Sequence, residues 1–313
     1  MSEKIAYLFP GQGSQYIGMG RDLVGSFPAA KEIFQQVDDF CGRSISRLCF
    51  EGPMEELTLT ENLQPAITAV NLACLSALKT SGVEPHVSAG HSLGEYAALV
   101  SAGVVGTNDA LRLAQRRGQL MHRESLTHPG TMAAVIGLPL ETVQRIVEES
   151  RRDEILSVAN HNTAEQIVLT GQEESVARAV QAVKGEGAKA ISLKVSGAWH
   201  CLLMEGAVGE FREFIEQIPF FLPTSGMLFN ATGGSVTEPE SIKELMARQL
   251  ISPVKWYDIV RTMVSDGVRT FVEVGPKKVL TGLVRKIVPS DEQMQLFQVE
   301  DTESLNMFLA REG

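Results

Sequence analysis

Ser92 lies in Gly90-His91-Ser92-Leu93-Gly94, a Gly-x-Ser-x-Gly spacing that can make a nucleophile of a hydroxyl. A strand-like run, Pro85 to Ala89, precedes it, and an Ala-rich helical run, Glu95 to Ala102, follows. That context is what a nucleophile elbow requires. The serine stands on a tight strand-to-helix turn, and the flanking glycines leave room for the backbone to bend and the helix to pass. The following helix aims free N–H groups and a partial positive charge at the serine, which suits an oxyanion. A plain glycine-flanked turn shares the spacing, so the flanking elements carry the reading.

A serine hydroxyl needs a base, usually a histidine. Six histidines are available: His86, His91, His122, His128, His161 and His200. His86 falls in the strand leading to the elbow. His91 adjoins the nucleophile, but consecutive residues on a tight turn point apart. His122 and His128 sit among polar neighbours near a helix end, where solvated histidines are the rule, and His161 ends a strand. His200 follows Gly197-Ala198-Trp199 and opens a helix, a loop position that can bring catalytic groups together. In α/β-hydrolases the order is serine, acid, then a late histidine. No histidine follows position 200 here, which disfavours an ordinary esterase or lipase. Arg116-Arg117 adds a second clue. Adjacent helical residues are about 100° apart, so at most one can face a site. An arginine grips a carboxylate with two parallel charge-assisted bonds. A solvated basic face is the blander expectation for the pair.

These residues need elements to hold them. The chain has 313 residues, enough for one large domain or a large one with an insertion. Its formal net charge of −10 argues against general nucleic-acid binding. The four cysteines, Cys41, Cys49, Cys74 and Cys201, show no metal-ligand spacing and suit a reducing compartment. The N-terminus has no signal-peptide pattern, and no apolar run approaches the ~18–20 residues of a membrane span. A cytoplasmic monomer, with no membrane or nucleic-acid partner and no metal, is the expectation.

Lys4 to Phe9 reads as a strand ended by Pro10-Gly11-Gln12-Gly13-Ser14-Gln15. Tyr16 occupies the place of the third glycine in a dinucleotide fingerprint, so the loop offers its N–H groups to something else. Helical periodicity covers Ala29 to Cys41, Ala66 to Thr80 after Gln64-Pro65, and Asn108 to Ser125. From Thr131 to Lys194 the pattern changes to β-α-β-β-α-β, the split βαβ order of ferredoxin-like modules. Residues 129–195 are therefore expected to form an insertion, with 1–128 and 196–313 making a large subdomain around it. Beyond the insertion a helix runs through Ile215, a short strand ends at Phe229-Asn230, and helices span Ile242 to Leu250 and Trp256 to Val264. Arg269 to Val274 reads as a strand, Val279 to Ile287 as a buried helix, and a peripheral helix follows Glu300.

Seven motifs occur in one order: Phe9-Pro10-Gly11-Gln12-Gly13-Ser14-Gln15, Gln64-Pro65-Ala66, Gly90 to Glu95, Arg117-Gly118, Gly197-Ala198-Trp199-His200, Gln249-Leu250 with Pro253-Val254-Lys255-Trp256, and Glu273-Val274-Gly275-Pro276. Together they resemble malonyl-CoA:acyl carrier protein transacylases and the acyltransferase domains of polyketide synthases, over essentially the whole chain. The resemblance implies an α/β fold: an α/β-hydrolase-like large subdomain with an inserted ferredoxin-like small one. It implies Ser92 as the nucleophile that takes the malonyl group, and His200 as its base. That base would pair with the backbone carbonyl of Gln249 or its neighbour instead of an acid. Arg117 would bind the malonyl carboxylate, which reverses the blander expectation above. Backbone N–H groups of Gln12 and Leu93 would form the oxyanion hole. Gln64 and Gln249 would line the acyl site, and Asn160 and Asn162 match an Asn-x-Asn element of the small subdomain.

No bound cofactor is implied. Malonyl-CoA would be the donor, and the phosphopantetheine of acyl carrier protein the acceptor, for fatty acid or polyketide synthesis. Trp199 departs from a commoner Phe and would crowd the acyl α-carbon, favouring malonyl over methylmalonyl; Ala164 and Lys277 replace a commoner Pro and Gly. Lys189, Lys194, Lys278, Arg285 and Lys286 are candidates to meet an acidic carrier protein. Two other readings compete: a thioester hydrolase of the same fold, which has no need of a carboxylate clamp, and a catalytically idle binding subunit of a synthase.

Overall fold

The computed structural model describes residues 4–289 and 292–311. Its first half contains β1 (Lys4–Phe9), α1 (Arg21–Ser26), α2 (Pro28–Cys41), α3 (Ile45–Glu51), α4 (Met54–Leu57), α5 (Thr60–Lys79), β2 (Val87–Gly90), α6 (Glu95–Ser101) and α7 (Thr107–Thr127). The middle contains β3 (Thr131–Ile136), α8 (Leu140–Arg151), β4 (Leu156–Thr163), β5 (Gln166–Gly171), α9 (Glu173–Gly185) and β6 (Lys189–Ser192). The remainder contains α10 (Glu205–Ile215), β7 (Gly226–Met227), α11 (Pro239–Arg248), α12 (Trp256–Ser265), β8 (Val268–Val274), α13 (Val279–Ile287), β9 (Gln295–Val299) and α14 (Thr302–Leu309).

Two sheets result. The larger has the order β7-β2-β1-β8-β9, with every pairing parallel. A parallel sheet needs cover on both faces, and β1 shows how the sequence supplies it. Ile5, Tyr7 and Phe9 point into one apolar cluster with α2, α5, α6 and α7, while Ala6 and Leu8 join α12 and α13 in another. The smaller sheet is antiparallel in the order β4-β5-β3-β6, the strand order of a ferredoxin-like module. One of its faces packs Ala133, Val135, Ile167 and Leu169 against α8 and α9. Met132, Ala134 and Val168 on the other face look toward the larger sheet and line a cavity between the two. The α/β fold with an inserted ferredoxin-like unit is the one expected.

Several elements differ from the sequence reading. Helix α5 starts at Thr60, well before the Gln64-Pro65 pair expected to open it, so Pro65 is inside the helix. Proline removes the N–H that would bond Glu61 O, and Arg43 Nη2 donates to that carbonyl instead at 2.9 Å. His200 does not open a helix. It sits at φ +63° in a turn, and α10 begins only at Glu205 after one 3₁₀ turn. Strand β7 stops at Met227, leaving Asn230 in the turn beyond it. Helices α1, α3 and α4 and strand β9 were not anticipated; the three helices are too short to show a periodicity.

Candidate active site

Strands β1, β2 and β8 are neighbours, with Phe9 opposite Gly90 and Leu8 opposite Glu273. The loops at Pro10, His91 and Gly275 therefore leave the sheet along one edge, the carboxyl edge where ligands bind in open α/β sheets. Glycine makes the elbow possible. A Cβ on Gly94 would lie 1.9 Å from Phe9 O, and one on Gly90 would lie 1.9 Å from the Gly94 carbonyl carbon. Ser92 is held at φ +51°, in the region L-residues avoid, with its N–H donating to Asn230 Oδ1 at 2.6 Å. The Gly11–Gln12 loop lies directly on this turn, since a Cβ on Gly11 would be 2.5 Å from His91 O. Asn71 Nδ2 donates to Pro10 O at 2.9 Å and Ser14 Oγ to Gly11 O at 2.7 Å, which fixes the loop.

Ser92 Oγ is 2.7 Å from His200 Nε2. His200 Nδ1 faces two backbone carbonyls, Gln249 O and Ser252 O, each at 3.0 Å. Carbonyls only accept, so the proton resides on Nδ1 and Nε2 is free to accept the serine hydroxyl. No acid side chain is involved; Ser252 is a partner the sequence reading did not single out. Burial, then the Arg117 charge, push His200 down to about 3, so the imidazole is neutral at neutral pH.

Arg117 and Arg116 diverge as helix geometry requires. Arg116 pairs with Glu210 at 3.0 Å on the surface. Arg117 is wholly buried: Nη2 donates to Ser92 Oγ at 3.2 Å, Nη1 to Gln64 Oε1 at 2.9 Å and Nε to Gln249 Oε1 at 3.1 Å. Its guanidinium carbon also lies 5.8 Å from the centre of the Tyr96 ring. Gly118 lets α7 approach α5 closely, its would-be Cβ falling 3.0 Å from Thr60 O, and this brings Gln64 within reach. The hydrogen-bond acceptors of Arg117 are two neutral amides and the Ser92 hydroxyl, which leaves its positive charge without a carboxylate bonded to it.

A cavity of about 590 Å³ opens over Ser92 and His200, bounded by Gln12, Trp199, Asn160, Asn162 and Leu280. Trp199 is 5% exposed. Asn160 and Asn162 reach the cavity from β4, and both turn to His91: Asn162 Oδ1 is 2.8 Å from His91 Nε2 and Asn160 Nδ2 is 3.4 Å from it. His91 also packs against Trp256, ring centres 5.5 Å apart. Leu93 is buried beneath the turn and Gln12 is exposed at the cavity wall. Of the other histidines, His86 Nδ1 accepts from Ile5 N–H at 3.1 Å, His128 meets Glu124 at 3.2 Å, and His161 stacks on Tyr257 at 4.9 Å.

Two side chains at the centre escaped the sequence reading. Asn230 pins Ser92 N–H and also donates from Nδ2 to Gly90 O at 2.7 Å. Glu95, only 1% exposed, accepts from Asn230 N–H at 2.6 Å and from Gln249 Nε2. Burial pushes Glu95 up to about 7, opposed by those two donors and by Arg117. An acid opening an otherwise apolar helix, Glu95-Tyr96-Ala97-Ala98-Leu99-Val100, was the available signal.

Known proteins share this architecture. The family described as acyl transferase domain matches residues 6–304. A malonyl CoA-acyl carrier protein transacylase of Bacillus subtilis is 39% identical over 306 residues, covering 97% of this chain and 96% of that one. The crystal structure of an acyl carrier protein S-malonyltransferase from Vibrio cholerae superposes with a TM-score of 0.93 at 38% identity, covering 98% of this chain and all of that one. A malonyl-transacylase solved in complex with its type II PKS acyl-carrier protein gives 0.94 at 37% identity, covering 99% of this chain and 100% of that one. With a match that spans nearly its whole length, this chain belongs to the acyl transferase domain family.

Proposed function

We propose that this protein transfers the malonyl group of malonyl-CoA to the phosphopantetheine thiol of an acyl carrier protein, through an ester on Ser92. His200 Nε2 takes the Ser92 proton as Oγ attacks the thioester carbonyl. The oxyanion is met by the N–H groups of Gln12 and Leu93. The intermediate collapses with cleavage of the carbon–sulfur bond, and His200 returns the proton to the departing CoA thiolate. The carrier's thiol then gives its proton to His200, attacks the ester, and Ser92 leaves as the hydroxyl. No redox or metal step is needed for the balance.

The observation that carries this reading is Arg117, a buried guanidinium on the reacting oxygen with no carboxylate bonded to it. Glu95 acts on the Arg117 charge only from across Gln249, whereas a malonyl carboxylate would bond the guanidinium directly. Because the Arg117 charge also lowers His200, that carboxylate would ease protonation of the imidazole during attack. Gln64 and Gln249 orient the arginine, Trp199 limits the α-carbon, and residues 129–195, with Asn160 and Asn162, wall the cavity. The exposed Lys189, Lys194, Lys278, Arg285 and Lys286 offer charge to an acidic carrier. The proposed setting is a cytoplasmic monomer; no helix among the described residues is long and apolar enough to cross a membrane.

Labelling with radioactive malonyl-CoA tests the proposal. Label should reside on the protein, persist without acceptor, pass to carrier protein, and vanish in Ser92→Ala. Rapid release to water would instead favour a hydrolase, and no label at all an idle binding subunit. Arg117→Ala should cut malonyl transfer by about 2–5 kcal/mol, far more than acetyl transfer. Equal losses for the two acyl groups would remove the arginine from this role.

A further inference from the structure

Glu95 is the first residue of α6, and none of the steps above uses it. Its two carboxylate oxygens are divided between two partners: Oε1 accepts from Asn230 N–H at 2.6 Å, and Oε2 accepts from Gln249 Nε2. Its two N–H donors and the Arg117 charge favour the carboxylate form of Glu95 against burial, and a carboxylate can only accept. Gln249 must therefore turn its NH₂ group toward Glu95. The same NH₂ donates to Ser92 O at 2.9 Å, which reinforces the orientation. The amide oxygen of Gln249 is then left facing Arg117 Nε, 3.1 Å away. A guanidinium has donors only, so the reversed amide would set N–H against N–H.

We propose that Glu95 is the positioning residue of the acyl pocket: it fixes the amide orientation of Gln249, and through it the guanidinium that selects a carboxylated acyl group. The proposal rests on the reading of Arg117 given above. The Asn230 arm ties the nucleophile to the same anchor. Asn230 is held by Glu95 through its N–H, and its side chain binds Ser92 N–H at 2.6 Å and Gly90 O at 2.7 Å. One buried carboxylate thus sets the turn that presents the serine and the arginine that reads the substrate. This is economical for selection, because both must keep fixed positions relative to one acyl group.

Glu95→Gln is nearly isosteric and tests the donor–acceptor logic directly. The new amide must keep its oxygen toward Asn230 N–H, so it presents NH₂ to the NH₂ of Gln249; that side chain either turns round, giving up its bond to Ser92 O, or is pushed from its place. In both cases Arg117 Nε loses the acceptor it has now. Transfer is measured with malonyl-CoA and acetyl-CoA, separating kcat from KM. For malonyl-CoA, kcat/KM should fall about 30-fold, mostly through KM, while acetyl transfer changes less than about threefold. Equal losses for both acyl groups, which a merely structural role would give, overturn the proposal, as does an unchanged malonyl KM. Arg117→Ala in the same assay separates the two readings: if its malonyl-to-acetyl ratio is unaltered, the carboxylate role of Arg117 fails first. Should Glu95→Gln not be recovered folded, Gln249→Met, which removes the acceptor facing Arg117, must lower the same ratio; an unchanged ratio there also overturns the proposal.

Discussion

The two sheets meet the same cavity in different ways. The parallel sheet presents an edge: three adjacent strand ends deliver the Gly11–Gln12 loop, the Ser92 turn and the Gly275 turn to one place. The antiparallel sheet presents a face, with Met132, Ala134 and Val168 as apolar wall and Asn160 and Asn162 as its polar contribution to the elbow. Around the reacting atoms unusual backbone follows this division, while Arg152 at φ +51° closes α8 of the antiparallel unit outside the cavity lining. Ser92 at φ +51° and His200 at φ +63° both belong to the edge side. Chemistry is placed at the edge for a physical reason. Strand ends free backbone N–H groups and allow sharp turns, whereas a sheet face has its backbone bonds already paired and offers only side chains.

Three substitutions test that contrast. The largest effect should come from Gly94→Ala. Its Cβ would meet backbone, Phe9 O at 1.9 Å, so no side chain can yield. A loss above about 3 kcal/mol in urea unfolding is expected, with the Ser92 ester no longer formed. A folded, active variant would mean that the edge is not as tightly built as it looks.

Next in size is a pH effect on the base. His200 falls from an ordinary 6.5 to about 3 in the folded protein. Between those values the unfolded chain binds more protons, so this group's contribution to stability rises with pH and is lost on acidification. Glu95 and Glu273, both pushed up to about 7 by burial, act in the opposite sense over the carboxylate range. Comparing the protein with His200→Gln cancels those shared terms. The difference in unfolding free energy should favour wild type by on the order of 2 kcal/mol more at pH 6.5 than at pH 4.5. A difference that is flat with pH would show the imidazole to be solvated.

The smallest effect is expected at the seam. Asn162→Ala removes the 2.8 Å bond to His91, at a cost of about 1 kcal/mol and a several-fold slower transfer, while Ser92 is still labelled by malonyl-CoA. Thermal unfolding and single-turnover labelling check this together. If labelling were abolished, the small sheet would be part of the nucleophile's support and not only its wall.

Legibility in the sequence followed distance along the chain. The elbow and the β-α-β-β-α-β insertion were readable because glycine spacing and periodicity are local properties. So were Ser92, His200 and the Arg116-Arg117 alternatives, as residue types in suitable places. The start of α5 was misplaced because a proline inside a helix is tolerated only when another group, here Arg43, takes the freed carbonyl. Glu95 and Asn230 were passed over because their meaning lies in partners far away. Glu95 bonds Gln249 across 154 positions and Asn230 across 135.

The nucleophile's turn and the two kinds of sheet are thus written locally in the chain, because backbone sterics and apolar alternation act over a few residues. Which arginine faces inward, which carbonyls hold the His200 proton, and which way the Gln249 amide points are settled by long-range packing. Those choices are made by acceptors and donors that meet only once the sheet has brought its ends together.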